Sequence, residues 1–164
     1  MSMILNLFRA DQSELDAYLA DTDVFFYRAY EDETPDHRRI DIDKSWDGLV
    51  FLLTGAPLHA QAGELYKMLF NHKLLDEKRE FGYGPASYLT PEEVSYFNQK
   101  LENLAFSDIA TNYDATKMFA GEVYPEIWED KETGLSYLGA YYERLKNFYA
   151  SAANEQQGII TFLG

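Results

Sequence analysis

Apolar and polar positions along the chain predict short strands at both of its ends. The mostly apolar run at 3–8 is typical of a buried strand. The run at 158–164 is continuous, too short for a helix and typical of an inner strand. Because these are the two most apolar strand segments, we expect them to lie side by side in the centre of one sheet.

Helical patterns occupy much of the chain between these strands. Asp11 and Glu14 have the spacing of a capping pair at the start of a helix. The segment TPEE at 90–93 places Thr at the N-cap, Pro at the first helical position and Glu at the third, which predicts a capping box. A longer pattern over about 134–154 carries two neighbouring apolar rows. That helix is therefore either deeply buried or has a second contact surface.

Shorter segments complete the predicted fold. We expect a short helix and an exposed acidic loop within 21–36, a short helix around 64–70, an extended edge segment at 81–88 and a helix at 107–119. No repeat or linker interrupts the sequence. The chain is predicted to be a single domain over residues 1–164 with an α+β fold: a small mixed sheet that includes the N- and C-terminal strands, surrounded by five or six helices.

The stretch RRIDIDKSWDGLVFLLTG, at 38–55, concentrates charged side chains directly before an apolar run. Oxygen-bearing side chains at alternate positions from 41 to 47 resemble the start of a calcium-binding loop. Such a loop requires glycine at its sixth position and a carboxylate at its twelfth, where this chain has Trp46 and Leu52. The sequence therefore excludes a calcium loop here.

A helix start is the first interpretation of this stretch. Asp41 or Asp43 would be the N-cap, the apolar residues that follow would form one face, and Gly55 would end the helix. On this interpretation Asp47 lies on the solvent side near Lys44. The cluster would then stabilise the helix and have no chemical role.

A charged cleft is the alternative interpretation, and it would be built from Arg39, Asp43, Lys44 and Asp47. The other patterns that carry chemistry are incomplete. The three histidines have no metal-binding spacing, the GYG at 82–84 lacks the third glycine of a dinucleotide loop, and no GxSxG elbow is present. We therefore expect neither a metal nor a cofactor.

Composition and charge narrow the classes of partner. With 14 basic and 28 acidic residues, the net charge of −14 repels nucleic-acid phosphates and anionic membrane surfaces. We therefore expect no nucleic acid and no membrane as a partner, and the charge favours a basic protein. Aromatic residues make up 16% of the chain, and their large rings suit a core, an interface or a ligand cleft.

Signals of cellular location are few. The chain has no cysteine, which suits a reducing compartment and removes disulfides and thiolate metal sites. Its first residues contain a short apolar run without a basic leader, so neither a signal peptide nor a membrane span is expected. These features predict a cytoplasmic protein.

Several ordered motifs resemble the YfbM-like family, small bacterial proteins whose domain has no assigned function. The motifs are RRIDIDKSWDGLVFLLTG, GYGPASYLTPEEV, VYPEIW and a C-terminal helix followed by a strand. The resemblance spans the chain and implies one compact domain of helices and sheet, without implying a reaction. The chain departs from the family pattern at MLFNHKLL, residues 68–75, where such proteins tend to carry a glycine-paired turn.

These observations lead to competing functional hypotheses. The leading one is a protein-interaction module without catalytic activity that binds a basic protein, such as a toxin or a regulator. The alternative is a small-ligand binder or an enzyme whose cleft joins the helix start at 41–47 to the loops at 83–88 and 124–128. Self-association through the long last helix is a third hypothesis. The candidate cleft residues are Asp43, Lys44, Asp47, Tyr83, Tyr88, Tyr124 and Trp128.

Overall fold

A four-stranded sheet forms the centre of the molecule, which a computed structural model describes over residues 2–164. The strands are β1 (Leu5–Ala10), β2 (Arg39–Asp41), β3 (Ser87–Leu89) and β4 (Gly158–Leu163), and their order is β2-β1-β4-β3. The two terminal strands are paired in the centre, in register from Leu5 opposite Leu163 to Ala10 opposite Gly158. This confirms the central pairing that their apolar character predicted.

Helices surround the sheet and confirm the α+β class. They are α1 (Gln12–Ala20), α2 (Thr22–Tyr30), α3 (Trp46–Thr54), α4 (Pro91–Glu102), α5 (Phe106–Ala110), α6 (Ala115–Ala120) and α7 (Lys131–Asn154), with short 3-10 helices at Leu58–Ala60 and Leu65–Met68.

Two details differ from the expected arrangement. Every strand pairing is antiparallel, so the sheet is not mixed. The segment 107–119 contains parts of two helices, which raises the number of α-helices within residues 2–164 to seven. The break has a local cause, because the Asp114 carboxylate accepts a hydrogen bond from the Lys117 amide at 3.0 Å and starts a new helix there.

The sheet separates two hydrophobic clusters because successive side chains of a strand point to opposite faces. Leu7 and Ile159 face the larger cluster, which α3, α4 and α7 complete. Phe8 and Ile160 face the smaller cluster, which α1, α2 and the segment 75–86 complete. The fold is therefore a three-layer arrangement with the sheet in the middle.

Both predicted capping boxes are confirmed. The Asp11 carboxylate accepts from the Glu14 amide at 2.8 Å, and the Glu14 carboxylate accepts from the Asp11 amide at 3.1 Å. The corresponding distances for Thr90 and Glu93 are 3.2 Å and 3.1 Å. Gly55 ends α3 with a φ of 75°, a left-handed conformation that glycine adopts without strain.

The extended segment at 81–88 is confirmed as the approach to an edge strand. Only its last part pairs in the sheet, as β3, while Gly82 turns the chain with a φ of 86°. A Cβ atom at Gly82 would lie 2.9 Å from the Leu163 carbonyl oxygen. Close packing of a chain reversal therefore explains this glycine.

Across residues 2–164, the structure contains no helix with both the length and the apolar character that a membrane crossing requires.

Candidate functional site

The start of α3 differs from the predicted N-cap. Ser45 occupies the cap position, and its hydroxyl donates to the Ile42 carbonyl at 2.6 Å instead of capping the helix. Asp41 ends β2 and accepts from the Asp43 amide at 3.1 Å. Asp43 has a φ of 49° and accepts from the Tyr137 hydroxyl at 2.7 Å. Both aspartates therefore shape the turn between β2 and α3, which is why neither caps the helix.

Lys44 is half-buried beside this turn. Its amide donates to the Tyr137 hydroxyl at 3.2 Å, so Tyr137 of α7 binds both Asp43 and the Lys44 backbone. Burial and the neighbouring Asp43 carboxylate raise the pKa of Tyr137, which stays protonated as a donor. Within residues 2–164, Lys44 forms no ion pair with either neighbouring aspartate.

Asp47 is buried, and the prediction that it faces solvent is wrong. Only 9% of the residue is exposed. Its Oδ2 accepts from the Tyr124 amide at 2.8 Å, and its buried Oδ1 has no hydrogen-bond partner among the described residues. Burial raises the pKa of Asp47, against the opposing effects of the Tyr124 amide and the charge of His59. The carboxylate lies in the first turn of α3 and holds the loop at 123–128 against it.

Tyr124 and Trp128 attach this loop to the larger cluster. The Tyr124 ring stacks on Trp46 with 5.4 Å between centroids. Trp128 is 3% exposed, and its indole nitrogen donates to the Val123 carbonyl at 2.8 Å. A Cβ atom at Gly48 would lie 2.8 Å from the Trp128 ring, so the glycine allows the close approach. Both aromatic rings are therefore used in packing.

Tyr83 and Tyr88 lie in other parts of the molecule. Tyr88 packs against the smaller cluster, on the opposite face of the sheet from α3. Tyr83 is 40% exposed and lines a cavity of about 160 Å³ together with Phe70 and Leu74. The structure thus brings Asp43, Lys44, Asp47, Tyr124 and Trp128 together around the start of α3, and it does not bring Tyr83 and Tyr88 to them.

No group of three or more histidine, aspartate or glutamate side chains within residues 2–164 is arranged to hold a metal ion.

A different part of the molecule presents apolar and acidic side chains to solvent. Val24 is 47% exposed and Tyr27 is 56% exposed, three residues apart on α2. Both line an open groove of about 470 Å³ with Asp32, which belongs to the acidic loop at 31–36. We call Val24, Tyr27, Glu31, Asp32 and Glu33 the α2 surface.

The carboxylates of the α2 surface lack ion pairs among the described residues, although Arg28, His37 and Arg38 also line the groove beside them. Glu31, Asp32 and Glu33 form no ion pair within residues 2–164. The Asp32 carboxylate accepts from the Thr34 amide at 3.0 Å, and this hydrogen bond lowers the pKa of Asp32. The surface therefore stays anionic at neutral pH.

Comparison with known proteins identifies the family. The family model described as "Domain of unknown function (DUF1877)" matches residues 1–162. The chain belongs to the DUF1877 family. The crystal structure of YfbM from Escherichia coli, a protein of unknown function, resembles this DUF1877 chain with a TM-score of 0.76 and 20% identity, over 99% of this chain and 100% of YfbM. This likeness confirms the YfbM-like fold, and a search of curated proteins found no match.

The α2 surface of this DUF1877 chain was not among the predicted site residues. The pattern VFFYRAY predicts a short helix, and the structure confirms it as α2. On that helix Phe25 and Ala29 are buried, while Val24 and Tyr27 lie on the opposite side. An apolar pair three residues apart, outside the buried stripe and directly before an acidic loop, is the signal that could have indicated this surface.

Proposed function

We propose that this DUF1877 protein is a non-catalytic interaction module that binds a basic protein through the α2 surface. The observation that carries the proposal is the combination of an exposed aromatic side chain, Tyr27, with the unpaired carboxylates of the adjacent loop. Aromatic anchors supply much of the affinity of protein interfaces. Complementary charge steers the partner and speeds association.

The charge of the whole chain supports the same class of partner. A protein with a net charge of −14 repels other acidic surfaces and attracts basic ones over a distance of roughly 10 Å at moderate salt. The α2 surface adds apolar contacts to this general attraction. We therefore assign it a partner with lysine or arginine side chains around an apolar pocket.

The proposal of a non-catalytic role rests on the contacts that the residues predicted for the alternative cleft form within the chain. Asp47 binds the Tyr124 amide, Asp43 binds the Tyr137 hydroxyl, and Trp128 is buried against Gly48. These contacts hold elements together, so the residues are engaged in structure. A cytoplasmic location, as expected from the sequence, belongs to the same proposal.

Affinity capture with matched variants tests the proposal. Wild-type protein, Tyr27→Ala and the triple variant Glu31→Gln/Asp32→Asn/Glu33→Gln are immobilised and exposed to lysate of the source organism at low salt. Bound proteins are identified by mass spectrometry. We expect one basic protein to be retained by the wild type, to be lost from both variants and to be released by high salt.

Two control variants distinguish binding through the α2 surface from nonspecific binding to exposed aromatic or acidic side chains. Phe119→Ala removes an aromatic side chain that is 72% exposed on α6. The triple variant Glu122→Gln/Glu126→Gln/Glu129→Gln removes the same charge from exposed loop positions. Both controls should retain the partner. The proposal fails if the wild type retains no basic protein, or if the controls lose it as completely as the α2 variants do.

A further inference from the structure

Arg9 is a largely buried cation without an ion pair or a side-chain hydrogen bond among residues 2–164. It lies on β1 opposite Ile159, on the face of the sheet that α7 covers, and is 6% exposed. Its guanidinium carbon lies 5.6 Å from the centroid of the Phe148 ring. Among residues 2–164 it forms no ion pair and no side-chain hydrogen bond, and its Nε is buried without a partner.

Comparison with Arg28 shows that the lack of ion pairs and side-chain hydrogen bonds at Arg9 is unusual for a buried arginine of this chain. Arg28 is also buried, yet it binds the Asp36 carboxylate at 2.9 Å and the Tyr18 hydroxyl at 3.1 Å. Arginine stays protonated at neutral pH, and a buried charge is costly unless it is paired and hydrogen-bonded. Arg9 therefore has an unused capacity to bind an anion.

An open cavity of about 460 Å³ lies next to Arg9. This volume is within the range of roughly 300–1,000 Å³ that is usual for small-molecule sites. The remaining lining consists of His37, Arg38, Ser151, Asn154, Glu155 and Gln157. The lining is polar and contains several donors, as an anion site requires.

Two residues of the cavity lining, Arg38 and Gln157, differ in whether their polar groups have partners within the chain. Arg38 binds Glu14 at 2.7 Å and lies 3.6 Å from Asp36, so its charge is compensated within the chain. Gln157 is 8% exposed, and its Oε1 is buried without a hydrogen-bond partner among the described residues. The cavity thus combines the Arg9 guanidinium, which forms no ion pair among residues 2–164, with the Gln157 side-chain amide and one acidic side chain, Glu155.

We propose that this cavity binds a small organic anion, whose carboxylate or phosphate group accepts hydrogen bonds from the Arg9 guanidinium. Pairs between arginine and such oxyanions are charge-assisted and often bidentate. A hydroxyl or amino group beside the anionic group would lie next to the Gln157 side-chain amide, which lines the cavity. Hydroxy acids, amino acids and sugar phosphates share this chemistry. The cavity adjoins the groove of the α2 surface, with which it shares His37 and Arg38, but the anion is a different ligand from the protein partner proposed for that surface.

Titration followed by NMR amide shifts tests the site with three defined probes: inorganic phosphate, glycerol 3-phosphate and lactate. In low-salt buffer, at least one probe should bind the wild type with saturation below about 10 mM and shift the amides of Arg9, Ser151 and Gln157. Phosphate and lactate, used in parallel, distinguish a phosphate ligand from a carboxylate ligand. Saturation by none of the three probes would overturn the proposal.

Substitutions test whether Arg9 contributes to the affinity for the anion. Arg9→Met should weaken binding of the same probe at least about tenfold, since it removes the charge-assisted hydrogen bonds. Arg144→Gln, which removes an exposed positive charge on α7, should leave the affinity within about twofold of wild type. Equal affinity of Arg9→Met and wild type would overturn the proposal.

Stability measurements without ligand test whether Arg9 has an internal partner. If Arg9 is unpaired, Arg9→Met should unfold at the same denaturant concentration as wild type or a higher one, because an apolar side chain replaces a buried lone charge. Glu155→Gln should tighten anion binding by removing the one acidic side chain from the lining. If both variants are destabilised and Glu155→Gln binds no tighter, Glu155 is the resident partner of Arg9 and the proposal is wrong.

Discussion

Asp47 is a buried carboxylate of which one oxygen has a hydrogen-bond partner and the other has none among the described residues. Its burial raises the pKa because the charged form is the more costly one to bury. The folded state therefore binds the proton of Asp47 more tightly than the unfolded state does. Ionisation of this side chain lowers the free energy of unfolding as the pH rises.

The variant Asp47→Asn should reveal this effect. Its amide oxygen can still accept from the Tyr124 amide, and it does not ionise. Below the ordinary aspartate pKa of about 3.9 the stabilising protonated form is fully populated, so wild type and variant should have similar stability. As the pH rises from there through the raised pKa of Asp47, the wild type should lose stability relative to the variant. Urea denaturation from about pH 4 to about pH 7 measures the difference, and a constant difference would contradict the assignment.

The environment of Asp47 could not be predicted from its neighbours in sequence. Its partner, the Tyr124 amide, is 77 positions away. The capping boxes could be predicted because each joins residues three positions apart, as Thr90 and Glu93 show. Local hydrogen bonds leave a pattern in the sequence, whereas contacts between distant segments do not.

Among the elements, α4 begins with the capping box of Thr90 and Glu93, which the sequence predicts and the structure confirms. Thr90→Ala removes the side-chain oxygen that accepts from the Glu93 amide. We expect a loss of about 1 kcal/mol in the free energy of unfolding, as is typical of an N-cap. Ser95→Ala, at an exposed position inside α4, is the control and should change little. Equal effects of the two substitutions in urea denaturation would contradict the importance of the cap.

The contact between α3 and α7 depends on a residue without a side chain. A Cβ atom at Gly48 would lie 2.8 Å from both Leu138 and the Trp128 ring. Gly48→Ala should therefore destabilise the protein by about 1–3 kcal/mol despite the better helix propensity of alanine. Gly139→Ala on α7, whose nearest contact would be 3.1 Å from the Phe106 ring, should cost less. If denaturation midpoints show the reverse order, this account of the packing is wrong.

Other elements show the limits of pattern-based prediction. The strands at both ends could be predicted from their mostly apolar runs, and the long helix α7 from apolar rows that recur with the period of a helix. The division of 107–119 into two helices depends on the cap at Asp114, whose signal is weaker than an apolar stripe. The direction of the short edge strands depends on long-range pairing, and so the sheet was expected to be mixed.

In the whole molecule, the cavity beside Arg9 and the groove of the α2 surface are neighbours, because His37 and Arg38 line both. The residues that define the two sites nevertheless belong to different layers. The α2 surface lies on the helix that covers the smaller cluster, whereas Arg9 lies on the side of the larger cluster. The sequence pattern indicated charged and aromatic residues as candidates for a site. The structure places several of these residues in contacts within the chain. Exposure decides which of such residues are free to bind, and exposure depends on the complete fold.

The second apolar row of α7 is also used within the chain. Tyr137 binds Asp43, and Phe148 is buried beneath the Arg9 guanidinium. Self-association through α7 stays a prediction, for which the test is a solution mass above that of one chain at micromolar concentration. Binding of a basic protein through the α2 surface does not require self-association.

Site-specific photo-crosslinking tests whether the α2 surface binds a basic protein. A photoreactive phenylalanine analogue is placed at position 27 or, as a control, at position 119, where the native Phe119 is 72% exposed. After irradiation in cells, we predict a covalent adduct with one basic protein from position 27 and none with that protein from position 119. The absence of an adduct at position 27, or the same adduct from both positions, would contradict a partner-binding role for the α2 surface.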